Sequence, residues 1–221
     1  MKKIFILAAA AFAAISVSAR DYSPTTTWPY ANPDFESGQI ILFSGAVKAA
    51  TVNVCLAKST LHYLDGEFVK ETFDVRQVTV GGDIFVNVAG KLMRVLAHSD
   101  KGYVVEGVEI DFGRLNSTGA AYGSSSTTLG TMNLSSLEGI GATNSNSSLT
   151  HMELKAGKEG GAILPLNRKK YLYVGGKAVY ATKKDVGEAV GKDRLKAYLK
   201  DHKVKWNDAS SLIALVELFG E

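Results

Sequence analysis

The histidines are the first residues to consider for chemistry, because imidazole is a common metal ligand and a proton carrier near neutral pH. His62 and His98 each lie in a strand-like run close to a hairpin turn, so the two could approach each other. Together with Cys55 and Asp83 they would form a Cys–His or metal-binding cluster. The close His/Cys spacing of zinc sites is absent from the sequence. The sequence therefore favours hydrogen-bonded strand histidines and a buried thiol, and it predicts no metal site and no cofactor.

A second candidate is the carboxylate pair Glu109 and Asp111, which share one strand face because side chains alternate along a strand. Such a pair could act in glycoside hydrolysis or bind calcium, although solvent-facing strand carboxylates are commoner. The sequence contains neither the Gly-x-Ser-x-Gly elbow of serine hydrolases nor a glycine-rich phosphate-binding motif. It therefore names no catalytic residue.

Tyr171 and Tyr173 form a third candidate, because they lie two residues apart on one face of a predicted strand. Exposed, their rings could stack on sugar rings. Buried, they would belong to the sheet core beneath a helical cap, and the sequence favours this second interpretation.

The region 38–115 must position most of these residues, and it consists of short apolar runs separated by turn residues. The turns recur about every ten residues, and Asp65–Gly66 is typical of a tight hairpin. This pattern predicts an antiparallel β meander in the form of a small barrel or sandwich. The expected strands are Gln39–Phe43, Thr51–Leu56, Leu61–Leu64, Glu67–Phe73, Val78–Val80, Ile84–Val88, Leu92–His98 and Tyr103–Ile110.

The region 151–221 is predicted to contain a β-hairpin and a helical cap. The segment before it, 116–150, is rich in Ser, Thr, Gly and Asn, and we interpret it as a partly ordered insertion or linker. Together with the front region this predicts an α+β fold with a C-terminal cluster of short amphipathic helices. The extended runs are Met152–Lys155, Ala162–Leu166, Tyr171–Val174 and Lys177–Ala181, and the helices begin at Thr182, Asp193 and either Asp208 or Ser210.

The first nineteen residues, 1–19, have the pattern of a cleaved secretory signal. Lys2 and Lys3 precede the apolar run Ile4–Ile15, and small residues end the segment at Val17–Ala19. The apolar run is too short for a transmembrane helix, so the pattern predicts an exported protein that is periplasmic or extracellular.

The next segment, 20–37, contains three prolines at a spacing that excludes a helix and predicts an extended arm. Trp28, Tyr30 and Phe35 could pin this arm to the body of the protein. The alternative is an N-terminus that frays.

Charge is unevenly distributed along the chain after the predicted signal. Residues 20–150 contain 9 Lys/Arg and 13 Asp/Glu, whereas residues 151–221 contain 14 and 9. The basic C-terminal region could contact anionic lipid, polysaccharide or an acidic envelope protein, or it could be a solvated helix surface. Nucleic acid is not expected as a partner, because export and the lack of interleaved aromatic residues both oppose it. The oligomeric state stays open.

The C-terminal residues also resemble a group of proteins. The runs Tyr171–Lys177, Lys183–Val186, Leu195–Lys200 and Lys203–Trp206 are similar to those of uncharacterised exported bacterial proteins with a β-rich front half and a short helical C-terminal cap. The resemblance covers about a quarter of the chain and implies no activity, cofactor or site residue.

We therefore expect an exported, soluble envelope protein, with a non-enzymatic binding or scaffolding module as the leading interpretation. A small secreted hydrolase would need His62, His98 or the Glu109/Asp111 pair to meet in one pocket. A lipid or small-ligand carrier would need an empty β-barrel interior.

Overall fold

The computed structural model describes residues 25–26, 28–111, 113–114, 151–152 and 164–219. The predicted signal segment and the insertion 116–150 lie outside these residues. The strands are β1 Thr25–Thr26, β2 Glu36–Ile41, β3 Val47–Cys55, β4 Thr60–Asp65, β5 Phe68–Thr72, β6 Gln77–Val80, β7 Asp83–Val88, β8 Lys91–Ser99, β9 Gly102–Ile110, β10 Leu164–Val174 and β11 Lys177–Tyr180. The helices are α1 Lys183–Val190, α2 Lys192–Asp201, α3 Ala209–Leu212 and a 3₁₀ helix, Ile213–Phe219.

All the strands belong to one antiparallel sheet, which confirms the α+β fold with a meander and a helical cap. The order is β5-β4-β3-β2-β6-β7-β8-β9-β10-β1, with β11 also paired to β10. Two meanders therefore run outward from the central pair of β2 and β6. Gly38 lies in β2 at this junction, where a Cβ would approach Val52 Cγ2 to 2.5 Å and Thr79 O to 3.0 Å. The close approach of three strands thus requires glycine.

The front and back halves of the chain share this sheet through β9 and β10. The pairing runs without interruption from Leu166 opposite Ile110 to Val174 opposite Gly102. The predicted run Tyr171–Val174 and the described part of the run Ala162–Leu166, from Leu164 onward, are joined in one strand. The residues between the two runs, Asn167–Lys170, are polar and so do not show the apolar pattern of a strand. Their extended conformation comes from pairing with β9. The prediction of an extended run at Met152–Lys155 is wrong at Met152, which is helical, and the other three residues lie outside the described ranges.

The sheet curls into a half-barrel, and the turn between β3 and β4 crosses to the strands β8 and β9. The Leu92 N–H donates to Ser59 O at 2.7 Å, and the Ile110 N–H donates to Leu56 O at 3.2 Å. The inner face between these strands is filled by side chains that are at most 5 % exposed. This front core contains Ile40, Val52, Val54, Leu61, Val75, Val78, Val80, Phe85 and Leu92.

The cap covers the far end of the same inner face. Val104 of β9 and Leu172 of β10 pack against helix residues, and this cap core contains Val104, Leu172, Ala181, Val186, Leu195, Leu212, Leu215 and Val216. As predicted, Thr182 caps α1 by accepting from the Asp185 N–H. Of the two candidates Asp208 and Ser210, Asp208 caps α3 by accepting from the Ser210 N–H. The last predicted helix continues from Ile213 as a 3₁₀ helix.

No helix in the described ranges is both long enough and apolar enough to cross a membrane.

A buried ion network lies on the inner face between the front core and the cap core. Arg94 of β8 donates to Glu106 of β9 at 2.8 Å, and its guanidinium lies 3.9 Å from Asp83 of β7. Arg168 of β10 donates to the other Glu106 oxygen at 3.0 Å. Arg94 and Glu106 are each 2 % exposed. Four neighbouring strands are thus joined by charges that must stay paired, because an uncompensated buried charge is costly.

We expect Glu106→Ala to lower the free energy of unfolding by about 3–5 kcal/mol, because it removes the carboxylate between two arginines. The matched control is Glu109→Ala on the same strand, which removes an exposed pair with Lys91 and should cost less than about 1 kcal/mol. Urea unfolding of both variants measures the difference. Equal losses would show that the buried network does not stabilise the fold.

Candidate binding cleft

A cleft of about 450 Å³ opens where the β3–β4 turn meets the β7–β8 turn and the end of β9. Its lining includes the side chains of Lys58, Thr60, Phe73, Lys91 and Glu109. Phe73 is 64 % exposed, which is more than the exposed fraction of Phe43 or of Phe68. The cleft therefore combines an open aromatic ring with a hydroxyl, two ammonium groups and a carboxylate.

Glu109, a residue predicted from the sequence, lies on the rim of this cleft. Its carboxylate forms an ion pair with Lys91 of β8. Both side chains are about half exposed, so water and a ligand can compete for them. Partial burial, and to a lesser degree Glu109, raises the pKa of Tyr171, while Lys91 lowers it. Two of the predicted residues, Glu109 and Tyr171, are thus electrostatic neighbours.

A buried carboxylate, Glu71, lies beneath the wall of the cleft. The Thr60 hydroxyl donates to Glu71 Oε1 at 2.6 Å, and Lys58 Nζ lies 3.7 Å from Oε2. The Glu71 side chain is only 4 % exposed, whereas that of Lys58 is 40 % exposed. Two lining residues of the cleft are therefore held in place by one carboxylate that a ligand would not touch.

His62 continues this polar chain away from the cleft. Its Nε2 lies 3.8 Å from Glu71 Oε1, and its Nδ1 is hydrogen-bonded to the Tyr30 hydroxyl at 2.9 Å. Burial, followed by Cys55 and Glu71, raises the pKa of Tyr30, so the phenol stays protonated. The phenol donates to Nδ1 in one imidazole tautomer and accepts from the Nδ1–H in the other. His62 is 1 % exposed and belongs to the interior.

The N-terminal arm seals this interior. Trp28, Tyr30 and Phe35 are buried against Cys55 and Val69. The described part of the arm, from Trp28 onward, is therefore pinned to the body of the protein. Asn53 of β3 supports the same docking, because its amide donates to the carbonyls of Asn32 and Asp34 and its carbonyl accepts from the Asn32 N–H.

Cys55 is fully buried within the arm cluster. Burial raises the pKa of its thiol from the ordinary value of 9.0 to about 11, although hydrogen bonds from the backbone of Ala57 and Lys58 act in the opposite direction. The thiol is therefore protonated at neutral pH, and the thiolate that nucleophilic or metal chemistry needs is not formed.

The two predicted histidines do not meet. Leu92 at the start of β8 contacts the β3–β4 turn, and His98 lies six residues further along that strand, about 20 Å away. His98 is exposed, opposite Tyr103 near the β8–β9 hairpin. Asp83, the fourth member of the imagined cluster, belongs to the ion network with Arg94. In the described part of the chain, no three His, Cys, Asp or Glu side chains are grouped to hold a metal ion.

Asp111 is placed just past β9, two residues beyond Glu109. Its Oδ1 accepts from the Arg114 N–H at 3.0 Å, which is the geometry of a short turn. Glu109 instead faces Lys91, so the two carboxylates have different partners.

Tyr171 and Tyr173 lie on the outer face of β10, opposite to the cap. Both are half-buried and pack against a second apolar cluster that includes Met93 and Val105. Tyr173 also stacks on Tyr103, with the ring centroids 6.3 Å apart. They are therefore neither fully exposed nor part of the core beneath the cap. Strand alternation places Leu172, between them, under the cap.

The sequence does not predict that Lys58, Thr60, Phe73 and Lys91 line a cleft. None of them belongs to a motif, and they are brought together only because the sheet curls. Phe73 carried one weak signal, since it ends a predicted strand beside Asp74 where an aromatic ring has no expected packing partner.

Comparison of the chain with family models, with curated proteins and with solved structures finds no match. The function must therefore be argued from the residues themselves.

We expect the stability of the wild-type protein to fall above pH 9 because of Cys55. A thiol whose pKa is raised on folding contributes fully below the pKa of the unfolded chain, and this contribution disappears as the pH rises toward about 11. By pH 10 the loss from this group should be about 1 kcal/mol. Tyr30, whose pKa is also raised, contributes to the fall only above pH 10.

Urea unfolding of the wild type and of Cys55→Ala between pH 7 and pH 10 tests this assignment. The variant should be less stable at pH 7, because it loses buried volume. Its stability should nevertheless decline less between pH 8 and pH 10. Parallel declines in the two proteins would show that the thiol has its ordinary pKa.

Proposed function

We propose that this protein is an exported cell-envelope protein of the binding or scaffolding class, and that it binds carbohydrate through the cleft at Phe73. The N-terminal pattern of Lys2, Lys3, an apolar run and small residues supports export. The resemblance of the C-terminal runs to exported bacterial proteins supports the same compartment.

The composition of the cleft carries the proposal of a carbohydrate. A sugar ring has an apolar face of C–H groups and a rim of hydroxyls, so it suits an aromatic ring that is bordered by charged hydrogen-bonding groups. Phe73 offers the exposed ring, and Lys58, Lys91 and Glu109 offer the donors and the acceptor. The volume of about 450 Å³ falls within the range of small-ligand sites.

A secreted hydrolase is the second candidate, and one observation favours it. The Thr60 hydroxyl lines the cleft and donates to Glu71, which in turn lies 3.8 Å from His62. A hydroxyl that is hydrogen-bonded to a carboxylate is a nucleophile that a base can activate. Against this, Thr60 is 6 % exposed and its partners are buried, which suits a structural role.

The carrier interpretation has less support. It requires an empty apolar interior, whereas the inner face of the half-barrel is occupied by the front core.

We expect Phe73→Ala to weaken carbohydrate binding about tenfold, because it removes the stacking surface. The matched control is Phe68→Ala at the other end of β5, where Phe68 is 45 % exposed and lies outside the cleft. Titration calorimetry with soluble peptidoglycan fragments and with a neutral glucan oligomer measures both variants. Binding that is equally reduced in both, or present in neither wild type nor variants, would contradict the proposal.

The same incubations separate binding from hydrolysis. A binding module returns the oligomer unchanged, whereas a hydrolase shortens it and loses that activity in Thr60→Val. Chromatography of the oligomer after prolonged incubation measures the outcome.

Export has its own test. We expect the full chain, expressed in a Gram-negative host, to appear in the periplasm or medium with an N-terminus near Arg20. Ala19→Arg changes the residue before the expected cleavage point and should leave the precursor uncleaved. Fractionation and mass spectrometry of the N-terminus decide the matter, and a cytoplasmic wild type that keeps residues 1–19 would overturn the assignment.

A further inference from the structure

The two longer cap helices form a second surface feature, a groove of about 790 Å³. α1 and α2 are joined at Gly191, whose φ of 95° permits the abrupt change of direction. Gly187, Leu195 and Leu199 line the apolar part of the groove. A Cβ on Gly187 would make an ordinary van der Waals contact with Leu195 Cδ2 at 3.4 Å, so the two residues lie side by side in the groove.

The rim of the groove is strongly basic. Five lysines and one glutamate line it: Lys183, Lys184, Glu188, Lys192, Lys196 and Lys200. All six are exposed. Within the part of the chain that the structure describes, none of the five lysines forms an ion pair. The groove therefore carries positive charge that the fold itself does not neutralise.

The lysines are also regularly arranged. Lys192, Lys196 and Lys200 are spaced four residues apart on α2, so they form a row about 12 Å long. Lys183 and Lys184 face this row from the start of α1. A ligand that complements this pattern needs negative charges at intervals of one helical turn and apolar groups between them.

We infer that the groove docks an acidic amphipathic helix of a partner protein. Carboxylates spaced by one turn would reach the lysine row, and apolar side chains would contact the partly exposed Leu199. This recognition is that of a helix laid in a groove, with charge complementarity giving its orientation and specificity.

An anionic membrane surface fits the same charge less well. Helices that bind in the plane of a membrane present a broad apolar face outward. Here Leu195 is only 3 % exposed. The large apolar side chains that are exposed among the described residues are Phe43, Val47, Phe68, Phe73 and Met152, all outside the cap helices. The cap thus offers a concave site and no apolar surface that could enter a bilayer.

The test uses the mature protein, residues 20–221, and a fluorescent peptide of about fifteen residues with glutamates four apart and leucines between them. Fluorescence anisotropy should show binding that weakens as salt is raised. The double variant Lys196→Glu/Lys200→Glu should bind about tenfold more weakly, since attraction becomes repulsion.

Lys177→Glu/Lys203→Glu is the matched control, because it makes the same change of charge at exposed lysines outside the groove. It should bind like the wild type. A second control replaces the glutamates of the peptide by glutamine, and this peptide should not bind. Thermal unfolding of both double variants should match the wild type, since all four lysines are exposed.

Equal weakening in the two double variants would overturn the proposal, because the interaction would then depend on net charge alone. Unchanged binding of the groove variant would do the same. Loss of binding to phosphatidylglycerol vesicles in the groove variant, with the acidic peptide unaffected, would identify the surface as a membrane contact instead.

Discussion

The pairing of Arg94 with Glu106 is the constraint on which the rest of the structure depends. The two side chains are opposite each other in β8 and β9, and both face the interior. Asp83 and Arg168 extend the network to β7 and β10. Any shift of one residue between these strands would turn one buried charge outward and leave the other without its partner, so the network specifies the strand register.

This register also determines where the cleft at Phe73 and the cap helices with the lysine groove lie. Lys91 precedes Arg94 by three residues and Glu109 follows Glu106 by three, so the same alignment brings Lys91 and Glu109 together on the opposite face. That pair is one wall of the cleft. On β10, Arg168 joins the network. Leu172 lies four residues further along on the same face and packs against the cap helices. One buried ion network thus positions the cleft and the cap that carries the lysine groove.

Local sequence patterns predict the elements that neighbouring residues determine, and they do not predict contacts between residues far apart in the chain. The hairpins, the caps at Thr182 and Asp208, and the aromatic residues of the arm follow from turn chemistry, side-chain hydrogen bonding and apolar spacing. The pairing of β2 with β6 and the crossing of the β3–β4 turn to β8 join residues far apart in the chain, and no local pattern contains them. For the same reason the sequence indicates Glu109 as a candidate residue but does not indicate Phe73, which lines the same cleft.

Some polar side chains are buried and stabilise the fold, whereas others are exposed and can contact a ligand. This difference is the clearest guide to which residues could bind. His62, Glu71, Arg94 and Glu106 look chemically capable in the sequence, yet burial and mutual bonding commit them to the fold. Phe73 and the cap lysines are ordinary residues in the sequence, yet the fold leaves them exposed. The two surfaces share no residue, so each can be removed by mutation without the other. The two proposed sites are therefore separate surfaces, which is the arrangement that the proposed scaffold would use to hold a polymer and a protein partner at once.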